Sequence, residues 1–387
     1  MTGDLFCPLC NSQKTDSFFR RSNVPANQNF LISKKNDALN IVTGDLELRK
    51  CTKCDFIFNN KFQLSKVHYG NLYENSQDVS PLFEEHLTKL AENLIYSKNI
   101  KNSTIIEVGC GKGYFLKKLI NFENCNNIGI GFDPSYIGND LVQKNLKFIK
   151  KFYDSDSANI KADVIVCRHV IEHISTPVKF LKTIRTALCN SKNPKIFFET
   201  PDVNWILKNQ VLWDFFYEHC SYFNPKSIRI AFEIAGFKIE SIEHVFNEQY
   251  MLIQASLSDE TISISDESSN LENMVNDFLY QEQNNQEIWN TKLNELSYKG
   301  KIAIWGAGAK GVTFLNLFDS DSKLIECVID INPKKQGMFI PGTGHEIVSF
   351  DQLNERKISD IIIMNPNYYD EIKLIIEKLN LKINLHF

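Results

Sequence analysis

Two pairs of cysteines, Cys7-Pro-Leu-Cys10 and Cys51-Thr-Lys-Cys54, constrain the first part of this 387-residue chain more than any other feature. Each C-x-x-C forms a tight turn that aims two thiolates at one point. Two such turns complete the tetrahedral four-sulfur site that zinc prefers. Residues 11–50 separate the pairs, a longer gap than in common zinc ribbons, so the intervening segment needs structure of its own. With no open ligand position, zinc here would be structural, and its binding would help fold a zone with too little core to fold alone. Two unlinked turns or a redox pair are the competing reading. The other cysteines (Cys110, Cys125, Cys167, Cys189, Cys220 and Cys327) are scattered singly and read as small buried residues of a reducing compartment.

At roughly 100–200 residues per domain the chain holds two or three domains. Its 43% hydrophobic and 23% charged residues are globular usage, and 28 phenylalanines can fill a sizeable core. A net charge of −4 argues against nucleic acid as a macromolecular partner. No apolar run approaches a membrane span, and the start Met-Thr-Gly-Asp-Leu-Phe lacks the basic and apolar stretches of a signal peptide. A cytoplasmic protein with no membrane partner, monomeric or homodimeric, is expected.

Pattern divides the chain into four zones. Residues 1–70 carry the cysteine pairs and short alternations such as Leu46-Glu47-Leu48. Residues 71–255 open with a helical stretch, Ser80–Lys98, and then alternate strands with amphipathic helices. The expected strands are Thr104–Val108, Asn127–Phe132, Asp163–Arg168, Lys195–Glu199, Phe237–His244 and Met251–Ala255, with helices at Val178–Leu188 and Ser227–Ala235. This alternation predicts a mostly parallel α/β sheet with an antiparallel edge. Residues 256–300 begin polar and acidic and continue as a partly exposed bridging helix. Residues 301–387 form a second, smaller Rossmann-like α/β unit with strands at Lys301–Trp305, Glu326–Ile331 and Asp360–Met364.

Three further motifs carry chemistry. Glu107-Val108-Gly109-Cys110-Gly111-Lys112-Gly113 sits at a strand–helix junction, where glycines let a ligand approach the backbone. An acid at Glu107 would repel phosphate and suits a ligand with an ammonium group, while Asp133, ending the next strand, can bind ribose hydroxyls. The aromatic run Trp213–Phe223 contains the adjacent pair Glu218-His219, which could poise a general base or simply be a core patch with one satisfied histidine. Finally, Trp305-Gly306-Ala307-Gly308-Ala309-Lys310-Gly311 follows an apolar strand, with Asp330 after the next one. That is a dinucleotide fingerprint in its proper context, but the unit is too short for a complete redox-cofactor fold.

The Glu107–Gly113 pattern, covering about residues 100–255, resembles the class I S-adenosylmethionine (SAM) methyltransferases. The resemblance implies that Glu107, Gly109, Gly111 and Gly113 line the methionine end of SAM and that Asp133 holds its ribose. It further implies Asp154 near the adenine and His169 and Val170 beneath the cofactor. His173 reads more simply as a helix-start residue packing beside Glu172.

Taken in order, the four motifs resemble one family, the zinc-containing sugar C-methyltransferases that act on nucleotide-linked keto-deoxysugars. The segment Tyr73-Glu74-Asn75-Ser76-Gln77 with Ser80 and His86, and the group Glu218-His219 with Tyr222-Phe223, are similar to that family's motifs. The resemblance implies that His219, held by Glu218, removes a proton beside the sugar keto group, and that Tyr73 and Tyr222 stabilise the enolate. Tyr217, Trp305, Gly306, Gly308 and Lys310 would contact the nucleotide-linked sugar. One departure concerns the tyrosine that the family carries three residues before the histidine: Phe216 stands there, with Tyr217 one place off. Alternatives left open are an O-methyltransferase acting on a sugar hydroxyl, a catalytically inactive nucleotide-sugar-binding protein, and a nicotinamide oxidoreductase.

Overall fold

The computed structural model describes residues 6–189, 191–259 and 270–387, and among them the chain forms three sheets. The cysteine pairs flank an antiparallel sheet in which Thr15–Pro25 pairs with Thr43–Cys51 and Thr43–Cys51 with Ile57–Asn59. In Thr43–Cys51 the residues alternate: Leu46 and Leu48 are buried, while Asp45 between Gly44 and Leu46 faces out. Thr15–Pro25 went unread because two register shifts, between Ser17 and Phe19 and between Arg21 and Val24, break its period. The fourth strand comes from far along the chain. Ser221–Tyr222, directly after His219-Cys220, pairs with Ile57–Asn59 in the register Ser221 to Phe58 and Tyr222 to Ile57.

The central sheet has eight strands. Lys195–Pro201, Val164–Arg168, Thr104–Val108, Ile128–Phe132 and Leu146–Ile149 run parallel in that spatial order. Tyr250–Leu257 and Phe237–Val245 complete one edge antiparallel, as the late strand cluster suggested. At the other edge Leu141–Gln143 was not foreseen, since all three of its residues are exposed and supply no apolar alternation. Helices at Pro81–Glu92, Tyr114–Ile120, Pro177–Leu188 and Pro225–Ile234 cover this sheet. Their starts follow capping chemistry: Ser80 accepts from the Phe83 N–H, and Asn224 forms a capping box with Ser227 ahead of Pro225.

The C-terminal sheet is wholly parallel, in the order Ile347–Val348, Ile325–Ile329, Lys301–Trp305, Ile358–Ile363, Asn384–His386. Between the two α/β units lies the helix Leu271–Lys299, while residues 260–269 of the expected polar boundary lie outside the described residues. Phe278 on this helix packs against Phe19 and Phe215, and Trp289 packs against Trp213 and Phe314. The helix therefore touches the first sheet, the aromatic run and the C-terminal unit at once. A second tie is extended backbone. The Glu74 N–H donates to the Asn29 carbonyl, and the Phe339 and Gly342 N–H groups donate to the Ile32 and Ala38 carbonyls, all at 2.8 Å.

Gly311 shows how tightly the last glycine turn is built, because a Cβ there would stand 2.0 Å from the Gly306 carbonyl oxygen. Gly311→Ala is expected to cost about 1–3 kcal/mol through overpacking against rigid backbone, read as a lowered denaturation midpoint.

Candidate active site

The four thiols of the N-terminal zone converge. Their sulfur atoms all lie within 4.8 Å of one another, with Cys7 to Cys54 and Cys10 to Cys51 at 3.6 Å. All four cysteines are free, and each C-x-x-C turn is closed by backbone hydrogen bonds, Asn11 N–H to Cys7 O and Asp55 N–H to Cys51 O. Hydrogen bonds from Cys10 first, then Cys54 and Cys7, hold the Cys51 thiol far below its ordinary range. Such a donor set fits a tetrahedral thiophilic ion. The cluster matters to the rest of the site because Cys54 is followed almost at once by Ile57–Asn59, the strand that grips Ser221–Tyr222. The Asn59 N–H also donates to the Cys220 carbonyl, one residue beyond His219.

The Glu107–Gly113 turn lies at the carboxyl ends of the parallel strands. Gly109 has φ +74°, and a Cβ there would meet Val170 at 2.1 Å, so Val170 packs directly against the turn. Gly111, at φ +53°, has nothing within 4 Å of where its Cβ would be, leaving one face of the turn open to a ligand. Asp133 accepts from the Gly111 and Ser135 N–H groups, which fixes the loop and aims its carboxylate across the turn. Glu107 is buried with Oε2 unpartnered. Burial, with Asp133 adding to it against Arg168, pushes its carboxyl up to about 7. An open glycine face and an orphaned buried carboxyl fit SAM, whose methionine end carries an ammonium. His169 has φ +52°, a left-handed conformation that a non-glycine residue keeps only under external constraint. Its N–H is bonded to the Glu199 carbonyl and its ring lies edge-on to Tyr250. Asp154 is exposed and caps the turn at Ser157, accepting from the Ser157 N–H and hydroxyl.

Beyond His169 a cavity of about 270 Å³ opens between the central sheet and the second glycine turn. Tyr73, His173, Glu218 and His219 line one side; Trp305, Gly306, Gly308 and Lys310 line the other. The His219 ring is wedged by Phe216 at 4.1 Å, His173 at 4.7 Å and Tyr222 at 6.1 Å between ring centres. Burial first, then His173, His169 and Lys310, holds its pKa well below the ordinary histidine value. That shift favours the uncharged imidazole, the form a proton acceptor needs.

Several expected contacts are corrected. The Glu218 carboxylate does not hold His219; it accepts from the Gln28 N–H at 2.5 Å and the Tyr73 hydroxyl at 2.7 Å. Tyr222 is buried away from the cavity, its hydroxyl accepting from the Phe216 N–H and donating to the Phe216 carbonyl, so it shapes the loop. Tyr217 points out of the site altogether: it packs against Gly44, Ala26 and Phe62, and its hydroxyl accepts from the Gln63 N–H. It cannot replace the tyrosine missing at Phe216. The Lys310 ammonium is committed to an ion pair with Asp214, which ties the second glycine turn to the aromatic run. Asp330 likewise accepts from the Ala307 and Asn332 N–H groups.

Three neighbours were not foreseen as site residues. His173 reaches the cavity, its Nδ1 2.9 Å from the Tyr69 hydroxyl and 3.1 Å from the Glu218 carbonyl. Tyr69 thus brings a hydroxyl to this side, though from sequence it is one of several aromatics in an irregular stretch. Lys335, buried, also lines the cavity, with its ammonium on the Ala307 carbonyl at 3.0 Å. The signal for it was the Lys334-Lys335 pair shortly after Asp330.

Removing the ion from the cysteine cluster, by chelation or by Cys51→Ser, is expected to loosen Ile57–Asn59 and with it His219. Hydrogen exchange should accelerate at Phe58 and at Cys220–Tyr222 together, while Thr104–Val108 keeps its protection.

Residues 81–242 match a family model described as a methyltransferase domain, and residues 253–380 match one described as a C-methyltransferase C-terminal domain. A tRNA U34 carboxymethyltransferase of Campylobacter fetus subsp. fetus is 34% identical over 110 residues, which are 26% of this chain and 38% of that protein. The corresponding protein of Campylobacter curvus is 30% identical over 201 residues, 45% of this chain and 62% of that one. The chain thus spans well under two thirds of the first of these relatives. Among solved structures, the 1,6-didemethyltoxoflavin-N1-methyltransferase of Burkholderia thailandensis has a TM-score of 0.35 at 10% identity, over 46% of this chain and 80% of that one. The two family matches adjoin on the two α/β units just described: this chain carries a SAM-dependent methyltransferase domain of the class I fold, joined to a C-methyltransferase C-terminal domain.

Proposed function

We propose that the protein transfers a methyl group from SAM to the carbon beside the keto group of a nucleotide-linked keto-deoxysugar. The observation that carries this reading is the pairing of opposite walls in one cavity. The wedged imidazole of His219, its pKa lowered by burial, shares this cavity with a glycine turn to which the buried Lys335 is hydrogen-bonded. The first wall suits carbon acidity next to a ketone; the second suits a nucleotide diphosphate at a helix start.

In this mechanism the His219 lone pair takes the proton from the carbon beside the ketone. The C–H electrons move into the enolate, whose charge gathers on the former carbonyl oxygen. Tyr73 lines the cavity beside this charge, and its hydroxyl turns from Glu218 toward the enolate oxygen. Glu107 and Asp133 orient the donor, so that the two reactants meet as one assembled complex. SAM, when bound, supplies an electrophilic sulfonium methyl to the carbon and leaves as S-adenosylhomocysteine. Zinc is the ion proposed for Cys7, Cys10, Cys51 and Cys54, in a structural role. Lys335 takes over the phosphate contact that Lys310, paired with Asp214, does not offer. The acidic net charge favours a small-molecule acceptor over the tRNA named for the Campylobacter proteins.

The deciding experiment mixes the protein with methyl-labelled SAM and nucleotide-linked 4-keto and fully hydroxylated sugars. Carbon NMR should find the methyl on carbon; a methyl on oxygen would favour the O-methyltransferase alternative. His219→Ala is expected to lower kcat by about 10²–10⁴-fold, the usual contribution of a general base. Lys335→Ala should raise KM for the nucleotide sugar by about 10–100-fold, as loss of a charged hydrogen bond does, with kcat little changed.

Glu107 makes donor binding pH-dependent. Its carboxyl is protonated below about 7 in the free protein, and a bound ammonium favours the carboxylate. SAM affinity should therefore fall as pH drops through 7, with a proton released on binding. Calorimetry in buffers of different ionisation enthalpy checks this, and Glu107→Gln should abolish the proton release.

A further inference from the structure

The floor of the cavity holds a second convergence of metal-ligating groups that the methyl-transfer mechanism does not use as such. One ligand atom each from Glu172, His173 and His219 lies within 4.8 Å of the others. Glu172 is 98% removed from solvent (2% exposed), and its Oε1 has no hydrogen-bond partner. The His169 Nδ1 atom stands 3.6 Å away, beyond hydrogen-bond reach. A buried carboxylate oxygen without a partner is costly and calls for an occupant.

The surroundings of each donor are those of a metal ligand. The other oxygen of Glu172, Oε2, accepts from the Thr200 hydroxyl at 3.0 Å, which fixes the carboxylate plane. His173 Nδ1 is 2.9 Å from the Tyr69 hydroxyl and 3.1 Å from the Glu218 carbonyl, an atom that can only accept. In the tautomer with the proton on Nδ1, that N–H donates to the carbonyl and Nε2 keeps its lone pair for an ion. A ligating histidine is oriented in this way, by donating its second ring nitrogen to a carbonyl. The His219 ring makes no hydrogen bond among the described residues and is positioned only by aromatic contacts.

We propose that Glu172, His173 and His219 form a second metal site, for a divalent first-row transition ion, in which the ion competes with the substrate proton for His219. Two imidazoles and one carboxylate leave coordination positions open toward the cavity. Binding of the ion does not depend on the sugar assignment; only its consequence, inhibition, rests on His219 being the base.

The test uses full-length protein with zinc already in the cysteine cluster, titrated with Co²⁺. One further equivalent should bind with weak visible d–d bands and no sulfur-to-metal charge transfer. X-ray absorption should find imidazole and carboxylate ligands and no sulfur. Glu172→Gln and His173→Gln should abolish the bands, and Thr200→Val should weaken Co²⁺ binding by about 10–100-fold. Each variant should retain its cluster zinc. Methyl transfer should fall as the bands fill and recover on mild chelation. No binding, sulfur in the coordination shell, or bands that survive both ligand substitutions in folded protein would overturn the site. If methyl transfer is absent altogether, the spectra still decide the metal site while the proposed reaction fails on its own.

Discussion

The pairing of Ile57–Asn59 with Ser221–Tyr222 is the constraint on which the site depends. Two residues make a weak strand, and nothing local would hold the loop Phe216–Cys220 in one conformation. The register is imposed from the other side. The cysteine cluster fixes Cys51 and Cys54, which leaves little freedom for the strand that follows. The Tyr222 hydroxyl then locks the loop to its own backbone at Phe216. The imidazole of His219 is thus placed by a chain of covalent and hydrogen-bonded steps that starts at sulfur. Placement by rings alone, which is what surrounds His219, would otherwise allow it to rotate.

A second theme is polar atoms buried without partners. Glu107 Oε2, Glu172 Oε1 and His169 Nε2 all lack one, and all lie around the central sheet's carboxyl edge. Glu199 shows the contrast. Burial opposes its charge, yet Arg168, His86 and His169 outweigh burial and hold it well below the usual carboxylate range. Satisfied groups of this kind build the floor; unsatisfied ones mark where ligands supply the missing interaction.

Much of this was legible in the chain because the relevant physics is local. Thr104–Val108 and Lys301–Trp305 are short, mostly apolar strands ending in glycine turns, and the sequence marks both to the residue. Leu141–Gln143 and Thr15–Pro25 were invisible for the opposite reason, the one being exposed throughout and the other broken by bulges. The gathering of Tyr73, Glu218, His219 and the second glycine turn around one cavity followed the order of motifs. What side chains do within it did not. Adjacency in sequence suggested that Glu218 grips His219, but neighbouring residues in a turn point apart, and Glu218 reaches Tyr73 and Gln28 instead. Tyr217 lies outside the cavity with its hydroxyl on the Gln63 N–H, and Lys310, which lines the cavity, has its ammonium paired with Asp214; neither partner is near in sequence.

The segment from Gln28 to Ala38 hydrogen-bonds to the Glu218 carboxylate, to Glu74 and to the turn around Phe339–Gly342. One short stretch of backbone therefore stitches together parts of the chain that a family-by-family view treats as separable modules. Neither α/β unit owns the cavity; each contributes part of its lining, and the stitch ties the two parts together. An exchange of the C-terminal unit for that of a relative would keep a closed cavity only if the seam to Ile32 and Ala38 were carried along. Specificity in such a protein is inherited with the seam as much as with the lining.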